Sequence, residues 1–152
     1  MRDFQGKPAI ILLAEDDLGD QELIRRAFAS NKIRNDLHIV GDGEQALDYL
    51  HKRGAYSGVD TAPRPDLILL DLNMPKIDGR GVIKEVKATP NLRSIPIVVL
   101  TTSQQEEDIL RAYDLGVNSY ITKPVTMQNL ISLIDKLEEY WFQIVVLPNN
   151  KD

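Results

Sequence analysis

Five short apolar runs, each followed by a stretch with helical spacing, predict an α/β fold built on a parallel sheet with helices on both faces. Two further observations support that class. Runs such as Leu67-Ile-Leu-Leu70 are apolar without alternation, as strands covered on both faces are. Cap-forming Asp, Ser or Thr residues also stand at the head of most of the helical stretches.

The first strand is AIILLA (9–14), and LGDQELIRRAFA (18–29) after it puts Leu23, Ile24, Ala27 and Phe28 on one side of a helix. LHIV (37–40) is the second strand. Asp42-Gly-Glu-Gln45 has the form of an N-cap with its third-position partner, and opens the second helix. Residues 54–65, GAYSGVDTAPRP, hold two Gly and two Pro and form one long loop. DLILLD (66–71) is the third strand, and Asp78 caps the helix GRGVIKEVKA (79–88). IPIVVLT (95–101) is the fourth strand. Ser103-Gln-Gln-Glu106 is a capping box whose helix runs to about Leu115. SYIT (119–122) is the fifth strand, and Thr126 caps the last and longest helix, which reaches about Phe142.

With 152 residues the chain fits one domain with its own core, and its apolar (43%) and charged (27%) fractions are those of a globular protein. A net charge of −5 without clustered Lys/Arg argues against nucleic acid as the main ligand. No apolar run approaches the roughly 20 residues that cross a bilayer. No basic region followed by a long apolar run marks a signal peptide. Cysteine is absent, so disulfides, thiolate metal sites and cysteine nucleophiles are excluded. The expectations are a cytoplasmic location and no membrane or nucleic-acid partner.

Ligands of open parallel sheets bind beyond the carboxyl ends of the strands, where strand order reverses. The first strand ends in Glu15-Asp16-Asp17 and the third in Asp71. Asp17 is explained as helix N-terminal charge, favourable to the helix dipole. Glu15, Asp16 and Asp71 together are not, because converging carboxylates repel unless a cation intervenes. Oxygen ligands without His or Cys suit a hard metal, Mg²⁺ ahead of Mn²⁺. Thr101 closes the fourth strand and Lys123 follows the fifth, on the same sheet edge. A metal, an ammonium, a hydroxyl and a carboxylate suit a phosphoryl group on Asp71, with Asp71 as nucleophile. His38 and His51 have no second ligand at metal spacing and receive no role.

These residues resemble the receiver domains of two-component response regulators over about residues 8–142. The likeness rests on Glu15 and Asp16, Asp71 in LLDLNMPKIDG, Thr101 in VVLTTS, and Lys123 in YITKP with Tyr120 three residues before it. The resemblance implies a doubly wound, flavodoxin/CheY-like sheet of five parallel strands in the order 2-1-3-4-5. It implies that Asp71 is the phosphoacceptor for a histidine kinase. Glu15, Asp16, Asp71 and the backbone carbonyl of Asn73 would hold Mg²⁺, Lys123 would contact the phosphoryl group, and Thr101 and Tyr120 would switch. It also implies a cis Lys123-Pro124 bond. The loop ending APRPDLILLDLN, the segment TTSQQEEDILRAYDLGVNSYITKP and the ending YWFQIVVLP further resemble the small regulators that partner bacterial, cyanobacterial-type phytochromes. Two departures from commoner receivers are Glu15, where aspartate is usual, and Thr102, where many carry alanine.

Three other readings compete. A haloacid-dehalogenase-type phosphatase would need D-x-D after its first strand, whereas Asp71-Leu-Asn73 lies on a middle strand and lacks the second carboxylate. A flavin or nucleotide module would need a phosphate cradle where Glu15-Asp16-Asp17 stands. A scaffold that no longer accepts phosphate would not need the full residue set. Residues 143–152 form a C-terminal extension too short for an output domain, so the expected output is protein binding rather than catalysis. On the final helix Leu130, Ile134, Leu137 and Trp141 form one apolar stripe. Leu133, Leu137, Tyr140 and Ile144 form a second, expected to be exposed in a monomer. It predicts a homodimer through helix 4, strand 5, helix 5 and the extension.

Overall fold

The computed structural model describes residues 8–30, 34–58, 60–112 and 115–141. Five strands alternate with five helices: β1 (Ala9–Ala14), α1 (Leu18–Ala29), β2 (Asn35–Val40), α2 (Gly43–His51), β3 (Leu67–Asp71), α3 (Gly79–Ala88), β4 (Ile97–Thr101), α4 (Gln104–Ala112), β5 (Ser119–Thr122) and α5 (Met127–Trp141). All four strand pairings are parallel and the order is β2-β1-β3-β4-β5, as the resemblance implies.

Alternating strand residues feed two separate cores, the consequence of a side-chain period of two. Leu12, Ile68, Leu70, Ile97 and Val99 face α2, α3 and α4, meeting Leu47, Ile83 and Leu110. Ile11, Leu13, Leu69, Val98 and Leu100 face the other way, onto Ile24 and Phe28 of α1 and Leu130 and Ile134 of α5. β3 and β4 are buried at every residue, which is why their sequences show no polar alternation.

The helix starts follow the cap residues. Asp17, Asp42 and Asp78 each accept a hydrogen bond from the backbone N–H three residues on. Ser103 and Thr126 do the same for α4 and α5. The return bonds of both capping boxes, however, are displaced by one residue. Gln45 Oε1 accepts from Gly41 N–H, and Glu106 Oε1 from Thr102 N–H. Each partner therefore ties the helix to the end of the preceding strand.

The described residues of the 54–65 loop are packed rather than loose. The loop holds a short 3-10 turn (Gly54–Tyr56), buries Ala62, and its Pro63 carbonyl accepts from the Tyr49 hydroxyl at 2.8 Å. Gly43 permits a closer contact still. A Cβ there would lie 1.7 Å from the Ile77 carbonyl oxygen, so only glycine lets α2 meet the loop before α3.

The expected exposed stripe on α5 needs correction. Leu133 is only 6% exposed and packs in the same core as Leu130 and Ile134, with Leu137 partly buried against it. The described residues of both stripes converge on one sheet face, since Leu130, Leu133 and Ile134 all pack in the cluster of Leu69, Val98 and Leu100. The side chains of Tyr140 and Trp141, and Ile144 with the rest of the extension, lie outside the described residues.

Candidate phosphoacceptor and metal site

The carboxyl ends of β1 and β3 are held side by side by the register Ala14↔Leu70. The next residues, Glu15 and Asp71, are therefore brought together, and both are buried, at 0% and 1% exposure. Glu15 N–H remains in the sheet, donating to the Val40 carbonyl at 3.0 Å. Asp16 joins them from the exposed side: one carboxylate oxygen from each of Glu15, Asp16 and Asp71 lies within 4.8 Å of the others. Asn73 N–H donates to Asp71 Oδ1 at 3.1 Å, so the Asn73 backbone borders the same cluster.

Lys123 reaches this cluster from the far side of the sheet end. Its N–H donates to the Thr101 carbonyl at 2.6 Å, and the Lys123-Pro124 bond is cis. Its Nζ lies 3.2 Å from Asp71 Oδ2 and 3.0 Å from Glu15 Oε1. The hydrogen bond to Glu15 is made to Oε2, at 3.2 Å, so Oε1 is in ion contact without hydrogen-bond alignment. A third carboxylate, Asp20 on the first turn of α1, lies 3.1 Å from the same Nζ.

The electrostatics follow from burial. Glu15 is pushed up to about 7, first by loss of water and then by the Asp71 charge, against the opposing pull of the Asp17 N–H and Lys123. Burial likewise raises Asp71, against the Asn73 N–H, a hydrogen bond with Glu15 and the Lys123 ammonium. The three carboxylates around Lys123 outweigh its own burial and raise its pKa, so it stays charged at neutral pH. Two buried carboxylates with one ammonium leave the cluster short of positive charge once both are ionised. An all-oxygen donor set of this kind fits a hard divalent cation.

Thr101 supplies the last feature. It follows Leu100, the register partner of Asp71, and is fully buried. Its hydroxyl has no hydrogen-bond partner among the described residues, a cost that a new acceptor beside Asp71 would remove. Tyr120 is half-buried on β5, with the Arg111 guanidinium 4.4 Å over its ring. It packs against the core on the side of the sheet that holds Leu110 of α4. His38 packs 5.7 Å from the Tyr49 ring, and His51 pairs with Glu85 at 3.1 Å. Neither is near the cluster's metal donors.

The structure therefore brings together Glu15, Asp16, Asp71, Asn73, Thr101 and Lys123. Sequence reasoning did not single out Asp20 or Glu106. Glu106 accepts from Thr102 and Asn73, yet its pattern fits the capping box already assigned to it. Asp20 carries only the signature of a favourable first-turn charge.

Comparison with known proteins follows the same lines. A family model described as "Response regulator receiver domain" matches residues 11–135. Response regulator Rcp1 of Synechocystis sp. is 42% identical over 148 residues, covering 97% of this chain and 99% of its own length. Its Mn²⁺-bound crystal structure superposes with a TM-score of 0.76 over 93% of this chain and 99% of that one. The phosphorylated cyanobacterial phytochrome response regulator RcpA is 44% identical, with a TM-score of 0.76 and the same coverage of both chains. The bacteriophytochrome response regulator RtBRR is 43% identical, with a TM-score of 0.78 over 86% of this chain and 78% of that one.

Proposed function

This chain belongs to the response regulator receiver-domain family, and from that premise we propose that it accepts a phosphoryl group on Asp71 from a histidine kinase. It is homologous to phytochrome response regulators, and the partner we infer is a phytochrome-type kinase. One observation carries the reading most. Lys123 Nζ is shared between the buried carboxylates of Glu15 and Asp71, at the same sheet edge as a buried Thr101 hydroxyl that lacks a partner among the described residues.

In this reading an Asp71 carboxylate oxygen attacks the phosphorus of a phosphohistidine, and the imidazole leaves. Glu15, Asp16, Asp71 and the Asn73 carbonyl would hold Mg²⁺, with Mn²⁺ as a substitute. When bound, the ion offsets charge on the phosphoryl oxygens. Lys123 is released from part of its carboxylate pairing to meet the same oxygens. Thr101 donates its hydroxyl, and Tyr120 follows into the space Thr101 leaves. The output is protein binding and not catalysis of an external reaction.

We take residues 1–152 as a single receiver domain with its core over 8–142 and an extension over 143–152. No described helix is long and apolar enough to cross a membrane, and we place the protein in the cytoplasm, without nucleic acid as a partner. A homodimer through α4, β5, α5 and the extension remains our proposal for the output face. β5 is an edge strand, and Ile109 of α4 and Ile131 of α5 are exposed.

Incubation with a panel of autophosphorylated histidine kinases tests the reading. Rapid transfer from a phytochrome-type kinase to wild type, with none to Asp71→Asn, is the expected result. Undiminished transfer to Asp71→Asn would overturn the assignment of Asp71. Fast transfer only from unrelated kinases would overturn the partner.

A further inference from the structure

Glu106, on the first turn of α4, is linked to Asp71 through Asn73 and gathers groups from three other places in the chain. Thr102, the residue after β4, donates both its N–H and its hydroxyl to Glu106 Oε1, each at 2.9 Å. Asn73 Nδ2, from the loop after β3, lies 3.3 Å from Oε2 and 3.4 Å from Oε1. Arg80 Nη2 of α3 is 3.9 Å from Oε2. The Glu106 side chain is 20% exposed. Although burial works against its charge, the Thr102 and Asn73 hydrogen bonds and the Arg80 charge hold it below the usual carboxylate range.

Like Gln45 on α2, Glu106 accepts from the N–H one residue before the cap, but unlike Gln45 it also accepts from a hydroxyl, that of Thr102, and from a side chain of another loop, Asn73. It thereby ties the loop after β4 to the loop after β3. We propose that Glu106 is a positioning residue, a latch that holds Thr102 and Asn73 in the resting arrangement and opposes movement of Thr101 toward a phosphoryl group on Asp71. The proposal rests on the reading of Asp71 as the phosphoacceptor.

The coupling is covalent and short. Thr101 and Thr102 are consecutive, so drawing the Thr101 hydroxyl toward Asp71 turns the peptide between them. That turn carries the Thr102 N–H and hydroxyl away from Glu106. Two hydrogen bonds to a carboxylate, stronger than neutral ones, must then lengthen or break. The resting state is favoured by what they contribute, and a ligand on Asp71 must outweigh it.

Beryllofluoride, a phosphoryl mimic for carboxylates, measures this directly when titrated with Mg²⁺ into the full chain and followed by fluorine NMR. Glu106→Ala should bind it about fivefold more tightly than wild type, the scale of one charge-assisted hydrogen bond at a partly exposed site. Thr102→Ala should shift affinity in the same direction by less, and should add little to Glu106→Ala. Glu106→Gln, which keeps the shape and an acceptor oxygen, should fall between wild type and Glu106→Ala. It also keeps the test decisive should the alanine variant fold poorly. Ser103→Ala removes the hydroxyl that accepts from Glu106 N–H at 3.1 Å but leaves the latch, and should lower Tm without changing affinity. Unchanged or weaker binding by both Glu106 variants, where wild type binds, would overturn the latch alone. So would a Ser103→Ala variant that reproduced the tighter binding. Wild type that takes no beryllofluoride in Mg²⁺ would overturn the Asp71 reading, and the latch with it.

Discussion

Replacing Asp71 by asparagine should stabilise the metal-free protein, and the structure sets the scale. Asp71 is 1% exposed, so its ionised form pays a desolvation penalty of several kcal/mol, on the order of 4. Repulsion from Glu15, with oxygens up to 4.8 Å away, adds about 3.5 kcal/mol at an effective dielectric of about 20. Attraction to Lys123 at 3.2 Å returns about 5 kcal/mol on the same basis. The net is about 2 kcal/mol against the native carboxylate, the direction in which burial also moves its pKa. Asparagine keeps the volume and the acceptor for Asn73 N–H, and Lys123 retains Glu15 and Asp20. Urea unfolding followed by far-ultraviolet circular dichroism at pH 8 in EDTA should show Asp71→Asn more stable by about 2 kcal/mol, with Tm raised by roughly 5 °C. Millimolar Mg²⁺ should stabilise wild type more than the variant and erase the difference. A variant less stable than wild type in EDTA, or a gap indifferent to Mg²⁺, would refute the account of the cluster as a cation site short of positive charge.

Other outcomes follow from the same contacts. Thr101→Val keeps the shape but removes a buried hydroxyl without a partner among the described residues, so it should stabilise the unphosphorylated protein by about 1 kcal/mol. Its partner affinity, read by calorimetry, should no longer respond to phosphorylation. Glu15, raised to about 7, favours its neutral form in the folded state. Metal-free stability should therefore fall as pH rises from the ordinary carboxylate range through about 7. Mg²⁺ competes with that proton, so its affinity by calorimetry should be about tenfold higher at pH 8 than at pH 6. Gly43→Ala should cost at least 2 kcal/mol in urea unfolding, on the order of an overpacked core site, because its Cβ meets backbone at Ile77. Sedimentation velocity at tens of micromolar, on wild type and on a chain ending at Glu139, should show dimer only for the full chain. A monomeric full chain, with and without beryllofluoride, would refute the dimer.

The strands were legible in the sequence because burial on both faces leaves continuous apolar runs, and their limits were lost where that signal fails. β2 begins at Asn35, two residues before the apolar run, since an edge strand tolerates polar residues; Asn35 Nδ2 donates to the Phe28 carbonyl at 2.9 Å. β4 begins at Ile97 and not Ile95, because Pro96 has no N–H to give the ladder, although its carbonyl accepts from Ile68. Glu15, Asp71, Thr101 and Lys123 were legible as a site because parallel strands deliver their carboxyl ends to one edge. Asp20 and Glu106 were not, since each has a sufficient local role at a helix start. Only the direction of the folded side chain separates that role from one in the cleft. Leu133 shows the opposite error: helical spacing alone put it on a free stripe, whereas it packs into the core cluster of Leu69, Val98 and Leu100 and is buried there.

The central claim is that Asp71 is the phosphoacceptor of a metal-assisted site, and mass spectrometry after treatment with acetyl phosphate tests it most directly. With Mg²⁺ present, wild type should gain the mass of one phosphoryl group. Borohydride reduction followed by peptide mapping should place the modification at Asp71. The gain should vanish in EDTA and in Asp71→Asn. Phosphoryl incorporation that persists in Asp71→Asn, or that proceeds equally well in EDTA, would contradict the account.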